Sequence, residues 1–224
     1  MATYFAVRIN AHPTTLRISH IQQIDCRYSR FTLIRRILIL SARLIKGTVN
    51  MSQLIEVAKP EDAEEVFALL QRAYAALVAL DVHFTISQGN VEQVRRVIEQ
   101  ETVLVLRKWK RAVATVTVRF PWQQDEHAPS SLPFIHWFAV DPDYKGQGYG
   151  RDIINYAEET LLKETLKAPG VYLATAIKHP WLSELYLRRG YQPFHHRTNP
   201  LGEALVFLKK EFNPPADQPI AKIA

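Results

Sequence analysis

The stretch Val140-Asp-Pro-Asp-Tyr-Lys-Gly-Gln-Gly-Tyr-Gly-Arg151 sets glycines at positions 146, 148 and 150. It leaves an apolar segment, Phe134 to Val140, and enters an amphipathic one that begins near Gln147. That order predicts a strand, a glycine loop and a helix N-terminus. Such a junction offers unpaired backbone N–H groups and the positive end of a helix dipole to an anion. Glycines without a Cβ let a phosphate come close to the backbone. The chemistry implied is a phosphate or pyrophosphate cradle. Two common glycine fingerprints do not fit. The nucleotide loop needs four residues between its first Gly and a Gly-Lys-Ser/Thr, and the dinucleotide loop needs Gly-x-Gly-x-x-Gly with a later acidic residue. Here the spacing is Gly-x-Gly-x-Gly, followed at once by Arg151.

This spacing resembles the acetyl-coenzyme A loop of the GNAT superfamily of N-acetyltransferases. The family pattern is Arg/Gln-x-x-Gly-x-Gly/Ala after a strand ending in Val-x-Pro. Lys145, Gly148 and Gly150 occupy those positions, after Val140 and Pro142. Lys145 keeps a cation where the family has Arg or Gln, but lacks the planar guanidinium fork. A second segment, Leu185-Tyr-Leu-Arg-Arg-Gly-Tyr191, resembles the family's Leu-Tyr-x-x-x-Gly-Phe/Tyr element. The resemblance covers roughly residues 52 to 210. It implies an α/β (α+β) fold, with a mixed, mostly antiparallel sheet of six to seven strands. Helices flank the sheet, which splays between strands four and five.

The resemblance also implies a reaction: transfer of an acetyl group from acetyl-CoA to a primary amine of a small molecule, peptide or protein. The pyrophosphate would rest on the amides of Lys145, Gly146, Gln147, Gly148, Tyr149, Gly150 and Arg151. Backbone groups of Phe138, Ala139 and Val140 would pair with the pantetheine arm. Tyr186 matches the tyrosine that protonates the departing thiolate. A non-catalytic acetyl-CoA sensor of the same fold is the alternative, motivated by Lys145 and by a missing carboxylate. Many family members carry a Glu on the fourth strand as base, and Phe134-Ile-His-Trp-Phe-Ala-Val140 has none.

Amine acetylation needs a neutral amine, a stabilised oxyanion and a proton for the leaving thiolate. His136 is the titratable side chain on the expected fourth strand, and imidazole suits proton transfer near neutral pH. In a regular strand His136 and Phe138 share a face, and a bulge would separate them. Without His136, a water chain or bulk solvent would take the proton. His83, Phe84, Trp122, Trp137 and Trp181 are candidates to line an acceptor pocket. His179 precedes the last expected helix and is a candidate for the thiol region. Tyr191 is read as structural. His195 and His196 point to opposite faces and make a poor metal site. No metal is expected.

These residues need elements to hold them. Leu54 to Ala58 reads as a strand. Pro60-Glu-Asp opens a helix carrying Val66, Leu69, Leu70, Ala73, Tyr74 and Leu77 at helical spacing. Asn90 can cap a second helix to about Gln100. Thr102–Leu106 and Val113–Phe120 form a hairpin around a basic turn of Arg107, Lys108, Lys110 and Arg111. Then come the strand Phe134–Val140, the helix Gly148–Leu166, the strand Val171–Ile177, the helix Trp181–Arg188, and strands Tyr191–His196 and Ala204–Leu208.

The charge is unevenly spread. Residues 1–50 hold eight basic residues and one acidic residue, Asp25, out of 28 and 22 in the chain. The rest is nearly neutral, which argues against a nucleic-acid partner for the domain. The organisation expected is a basic extension over 1–50, an acetyltransferase domain over 51–212 and a flexible tail over 213–224. Met51 is the expected true start, with a native but weakly ordered tail, organelle targeting, or membrane-surface binding by Phe31–Ile45 as the other readings of the extension. The single cysteine, Cys26, allows no intramolecular disulfide and suits a cytoplasmic protein. No run reaches the ~18 apolar residues of a membrane span. A homodimer is an open expectation.

Overall fold

The computed structural model of the chain describes residues 53–123, 126–178 and 180–212. The readings made for residues 1–50, Met51, His179 and the C-terminal tail lie outside the described residues. The elements run β1 (Gln53–Val57), α1 (Ala63–Val78), α2 (Val91–Gln100), β2 (Thr102–Lys108), β3 (Arg111–Arg119), β4 (Phe134–Val140), α3 (Tyr149–Asn155), β5 (Gly170–Ala176), α4 (Pro180–Leu187), β6 (Gln192–Thr198) and β7 (Ala204–Glu211). The helical rod that starts as α3 continues over Tyr156–Thr165 with the wider π-type turn.

The strands form one seven-stranded sheet in the order β1-β2-β3-β4-β5-β7-β6. Every neighbouring pair is antiparallel except β4 and β5, which are parallel. This is the mixed, mostly antiparallel architecture that the sequence implies. Most element boundaries fall within a few residues of their expected places.

Apolar spacing explains the two faces. Ala63, Val66, Leu69 and Leu70 recur on one side of α1 and are fully buried. With Val94 and Ile98 of α2 they cover Val103, Val105, Ala112, Trp137 and Ala139. Asn90 caps α2 by accepting a hydrogen bond from the Gln93 N–H at 2.9 Å. The α3 rod packs its Ile153, Ile154, Ala157, Leu161 and Leu162 on the opposite face.

The β2–β3 connection departs from expectation. Lys108 pairs with Arg111, so the turn is only Trp109 and Lys110, both at positive φ (49° and 71°). Two positive φ values match the right-handed twist of a two-residue hairpin. Arg107, expected in that turn, lies instead in β2 with a buried guanidinium. It donates to Glu56 (2.7 Å), Asp62 (2.5 Å) and Glu65 (2.5 Å), tying β1, β2 and the start of α1 together.

A second ionic knot joins the rod to the far strands. Glu158 has no exposed surface and accepts from Arg189 (3.0 Å), Lys210 (2.6 Å) and the Tyr191 hydroxyl (3.0 Å). Tyr191 is therefore an anchor between the chain after α4 and the rod. The outermost strand, β6, is almost wholly exposed. No helix among the described residues is long and apolar enough to cross a membrane.

Removing one side of a buried ion pair leaves the other charges uncompensated. Glu158→Gln is expected to lower unfolding free energy by about 3 kcal/mol. Urea denaturation followed by circular dichroism checks this, and an unchanged midpoint would show that the knot contributes nothing.

Candidate functional site

The cleft begins where β4 and β5 separate. They pair only at Phe134–Tyr172 and Ile135–Leu173, and no further register partners follow. From His136 to Val140, one side of the β4 backbone is thus without a neighbouring strand. The space opened belongs to a cavity of about 1130 Å³. That is large enough for a sizeable organic ligand.

On its other side β4 pairs with β3, through a bulge. Thr117 opposes His136 and Thr115 opposes Ala139, so three steps on β4 match two on β3. Trp137 takes the strain, at φ 49°. A bulky residue there costs on the order of 1 kcal/mol or more and marks a site held by its surroundings. The bulge sends His136 and Phe138 to opposite faces. His136 joins Ala139 on the side covered by α1 and α2, and Phe138 lies beside Gly150 of α3.

The glycine loop is built for close approach. Asp141, fully buried, accepts from Arg72 (2.7 Å) and Arg111 (3.1 Å) and fixes the chain as it leaves β4. Gly148 stands at the N-cap of α3 with φ 89°, a conformation that glycine adopts at little cost. At Gly150 a Cβ would come within 3.0 Å of Val140 Cγ2 and 3.4 Å of Phe138. The rod therefore sits tight against β4 only because position 150 has no side chain.

The Lys145 N–H is engaged by the Pro142 carbonyl (3.3 Å). Among the described residues, the unengaged amides are those from Gly146 to Arg151, one fewer than the sequence suggests. The side chains divide. Lys145, Gly146, Gly150 and Arg151 line the cavity together with Phe138, Ala139 and Val140. Gln147, Gly148 and Tyr149 do not, and the Tyr149 ring is buried beside Tyr144 and Lys108.

Tyr186 and His136 both line the same cavity. Tyr186 packs edge-on against Tyr191, with ring centroids 5.7 Å apart. Its hydroxyl makes no hydrogen bond among the described residues. Burial raises its pKa well above the usual tyrosine range, and the Glu158 charge adds to the rise. The group is protonated at neutral pH and can donate a proton.

His136 Nε2 lies 2.6 Å from Glu101 Oε2. Glu101 is itself buried, and its other oxygen accepts from Arg119 Nε at 2.9 Å. Burial lowers the His136 pKa, and the Glu101 hydrogen bond offsets only part of that. Burial alone would raise the Glu101 pKa, but His136 and Arg119 reverse this and hold the carboxyl ionised. The result is a neutral imidazole whose Nε2–H points at a carboxylate, leaving Nδ1 to accept a proton. Across the ladder, Thr117 Oγ1 is buried without a hydrogen-bond partner among the described residues.

Glu101 is the residue that sequence reasoning missed. It caps the C-terminal end of α2, where a negative charge opposes the helix dipole. That misfit was the available signal. The β4 strand lacks a carboxylate, as read from the sequence, but Glu101 brings one to it from the α2–β2 junction. Arg119, Phe134, Tyr74, Leu77 and Leu80 also line the cavity and were not singled out as site residues. Of the aromatic candidates, Phe84, Trp137 and Trp181 line it, whereas His83 and Trp122 do not. His83 bonds to Asp81 at 3.0 Å, and Trp122 stacks on Phe120. His195 and His196 are exposed, and no cluster of metal-ligating residues occurs among the described residues.

Residues 99–193 match the family model described as an acetyltransferase (GNAT) domain. Two Bacillus subtilis proteins are each 37% identical to the chain. One is an S-alkylcysteine N-acetyltransferase, matched over 72% of this chain and 93% of its own length. The other is an S-(2-succino)cysteine N-acetyltransferase, matched over 69% and 93%. Among solved structures, the PaiA N-acetyltransferase of Thermoplasma acidophilum, in complex with coenzyme A, superposes with a TM-score of 0.56 at 12% identity. That match covers 72% of this chain and all of the other. A Streptococcus agalactiae GNAT acetyltransferase gives 0.55 at 16% identity, over 72% and 96%. The matched domain, the two curated relatives and the splayed sheet agree: this chain belongs to the GNAT acetyltransferase family and is an acyltransferase.

Proposed function

We propose that the chain transfers an acetyl group from acetyl-CoA to the α-amine of an S-substituted cysteine or a similar small amino acid. One observation carries this reading. A single cavity joins the glycine loop, the unpaired side of β4, His136 and Tyr186. The names of the two Bacillus subtilis relatives suggest the acceptor class. The acceptor side of the cavity is walled by Leu77, Leu80, Phe84 and Trp181, which suits an apolar S-substituent.

The roles follow from the chemistry of the side chains. The amides from Gly146 to Arg151, with the cations of Lys145 and Arg151, would hold the donor's pyrophosphate. Backbone groups of Phe138 to Val140, unclaimed by β5, would hold its extended arm. His136 Nδ1 takes one proton from the acceptor ammonium. The freed nitrogen lone pair attacks the thioester carbonyl carbon, forming the C–N bond as the C–S bond breaks. Tyr186 supplies its phenolic proton to the departing thiolate, the newly acylated nitrogen gives up its second proton to the tyrosinate, and His136 releases the first proton to solvent. No metal enters this scheme.

Three measurements test it. Gly148→Asp places a carboxylate and a strained φ at the cradle. It should weaken acetyl-CoA binding at least ~100-fold by calorimetry, in line with the cost of a misplaced charge; unchanged affinity would sink the cradle assignment. Tyr186→Phe should lower kcat by about 100-fold while acetyl-CoA affinity holds. Equal loss of both would mean a packing role. For His136, activity requires the neutral ring. Because burial pushes its pKa down, the acidic limb of kcat should lie below the ordinary histidine value near 6.5. In His136→Gln that limb should vanish along with about 100-fold of kcat. A limb that survives the substitution unchanged would remove His136 from the reaction.

A further inference from the structure

We infer that Arg119 is the specificity-determining residue of the acceptor site, holding the free α-carboxylate of the acceptor beside His136, and that Glu101 sets the distance between the two. The inference rests on the acceptor class proposed above and narrows it: the enzyme takes free amino acids and turns away amides, esters and peptide N-termini.

Glu101 links the two prongs. Its Oε2 meets His136 Nε2 at 2.6 Å and its Oε1 meets Arg119 Nε at 2.9 Å. One buried carboxylate thus holds an imidazole and a guanidinium side by side. Both line the cavity, whereas Glu101 does not. Register places them on one face: His136 opposes Thr117, and Arg119 is two residues further along β3. An α-amino acid carries its amine and its carboxylate on one carbon. Neighbouring proton acceptor and cation are the complement of that pair.

Arg119 has capacity to spare. Glu101 occupies only its Nε, and its two terminal nitrogens make no hydrogen bond among the described residues. A guanidinium is the side chain best matched to two-point carboxylate binding. Its Cζ stands 5.9 Å from the centre of the Phe134 ring, and that ring in turn stacks on His136 at 5.4 Å. The aromatic plate keeps both prongs from turning away. The remaining cavity cations have other positions: Lys145 and Arg151 stand at the glycine loop, Arg188 lies just past α4 beside Glu184 (3.7 Å), and Arg189 is committed to Glu158 and Asn155. Glu101 touches neither substrate and acts as a positioning residue.

The test compares S-methyl-L-cysteine with its carboxamide in the full chain, following CoA release with acetyl-CoA as donor. The wild type should favour the free acid by on the order of 10- to 100-fold in kcat/KM, mostly through KM. Arg119→Gln should erase that preference by losing the free acid while keeping the carboxamide, which also shows that the variant is folded. Arg119→Lys should restore part of the preference. Equal use of both compounds by the wild type would overturn the clamp while leaving acetyl transfer to the amine intact. So would an Arg119→Gln variant that loses both equally while Arg119→Lys keeps the wild-type ratio. Acetylation of neither compound, with acetyl-CoA still bound, would overturn the acceptor class and the clamp with it.

Discussion

The parting of β4 from β5 after two register pairs is the constraint on which the site depends. A sheet that stayed zipped would bury every main-chain group of β4 in its two ladders. Because pairing stops at Ile135, five residues of β4 keep one polar edge for something other than a strand. The same separation creates the cavity and lets α3 and α4 reach it from different sides. Buried main-chain groups need partners, so a gap of this kind persists in a folded protein only where an outside molecule or solvent satisfies it.

The cost of holding β4 in this state falls on its flanks. Asp141 binds two arginines immediately after the strand, and Glu101 binds His136 and Arg119 near its start. The bulge at Trp137 lies between these two ionic clamps. A strained residue is retained when its neighbours over-determine its position, and here a charged group fixes each end. Both carboxylates are buried, so their ion pairs are less screened than surface pairs would be. The strand behaves as a stiff rail carrying groups on both faces.

What was legible in the sequence was local. The three glycines, the apolar run before them and the helical spacing after them are readable over a dozen residues, and they indicate the loop, the strand and the rod. The same holds for the Leu-Tyr-x-x-x-Gly-Tyr segment. What was not legible depends on contacts far apart in the chain. Glu101 lies 35 residues from His136 and carries no motif. Arg107 looked like a turn residue because it sits among other cations, yet Glu56 of β1, Asp62 just before α1 and Glu65 of α1 draw it into the sheet. The turn itself uses Trp109 and Lys110 at positive φ, where Asn and Gly are the usual residues, so composition pointed elsewhere. The face of His136 was undecidable because it hangs on a bulge that shows only in how β4 registers against β3. Glu158 reads as an ordinary polar position on an amphipathic helix until Arg189, Lys210 and Tyr191 converge on it.

One feature on the far side of the sheet bears on how the protein behaves when concentrated. As the last strand in the order, β6 leaves a row of main-chain groups open to any passing chain, and open rows seed aggregates. This strand is poorly made for that. Pro193 offers no N–H, a register shift follows between Pro193 and His195, and Arg197 adds a charge on the exposed ribbon. Each is a known way of spoiling a sticky rim. The sheet therefore stays open along β4, where the proposed ligand would lie, while its β6 rim is a poor template for another strand.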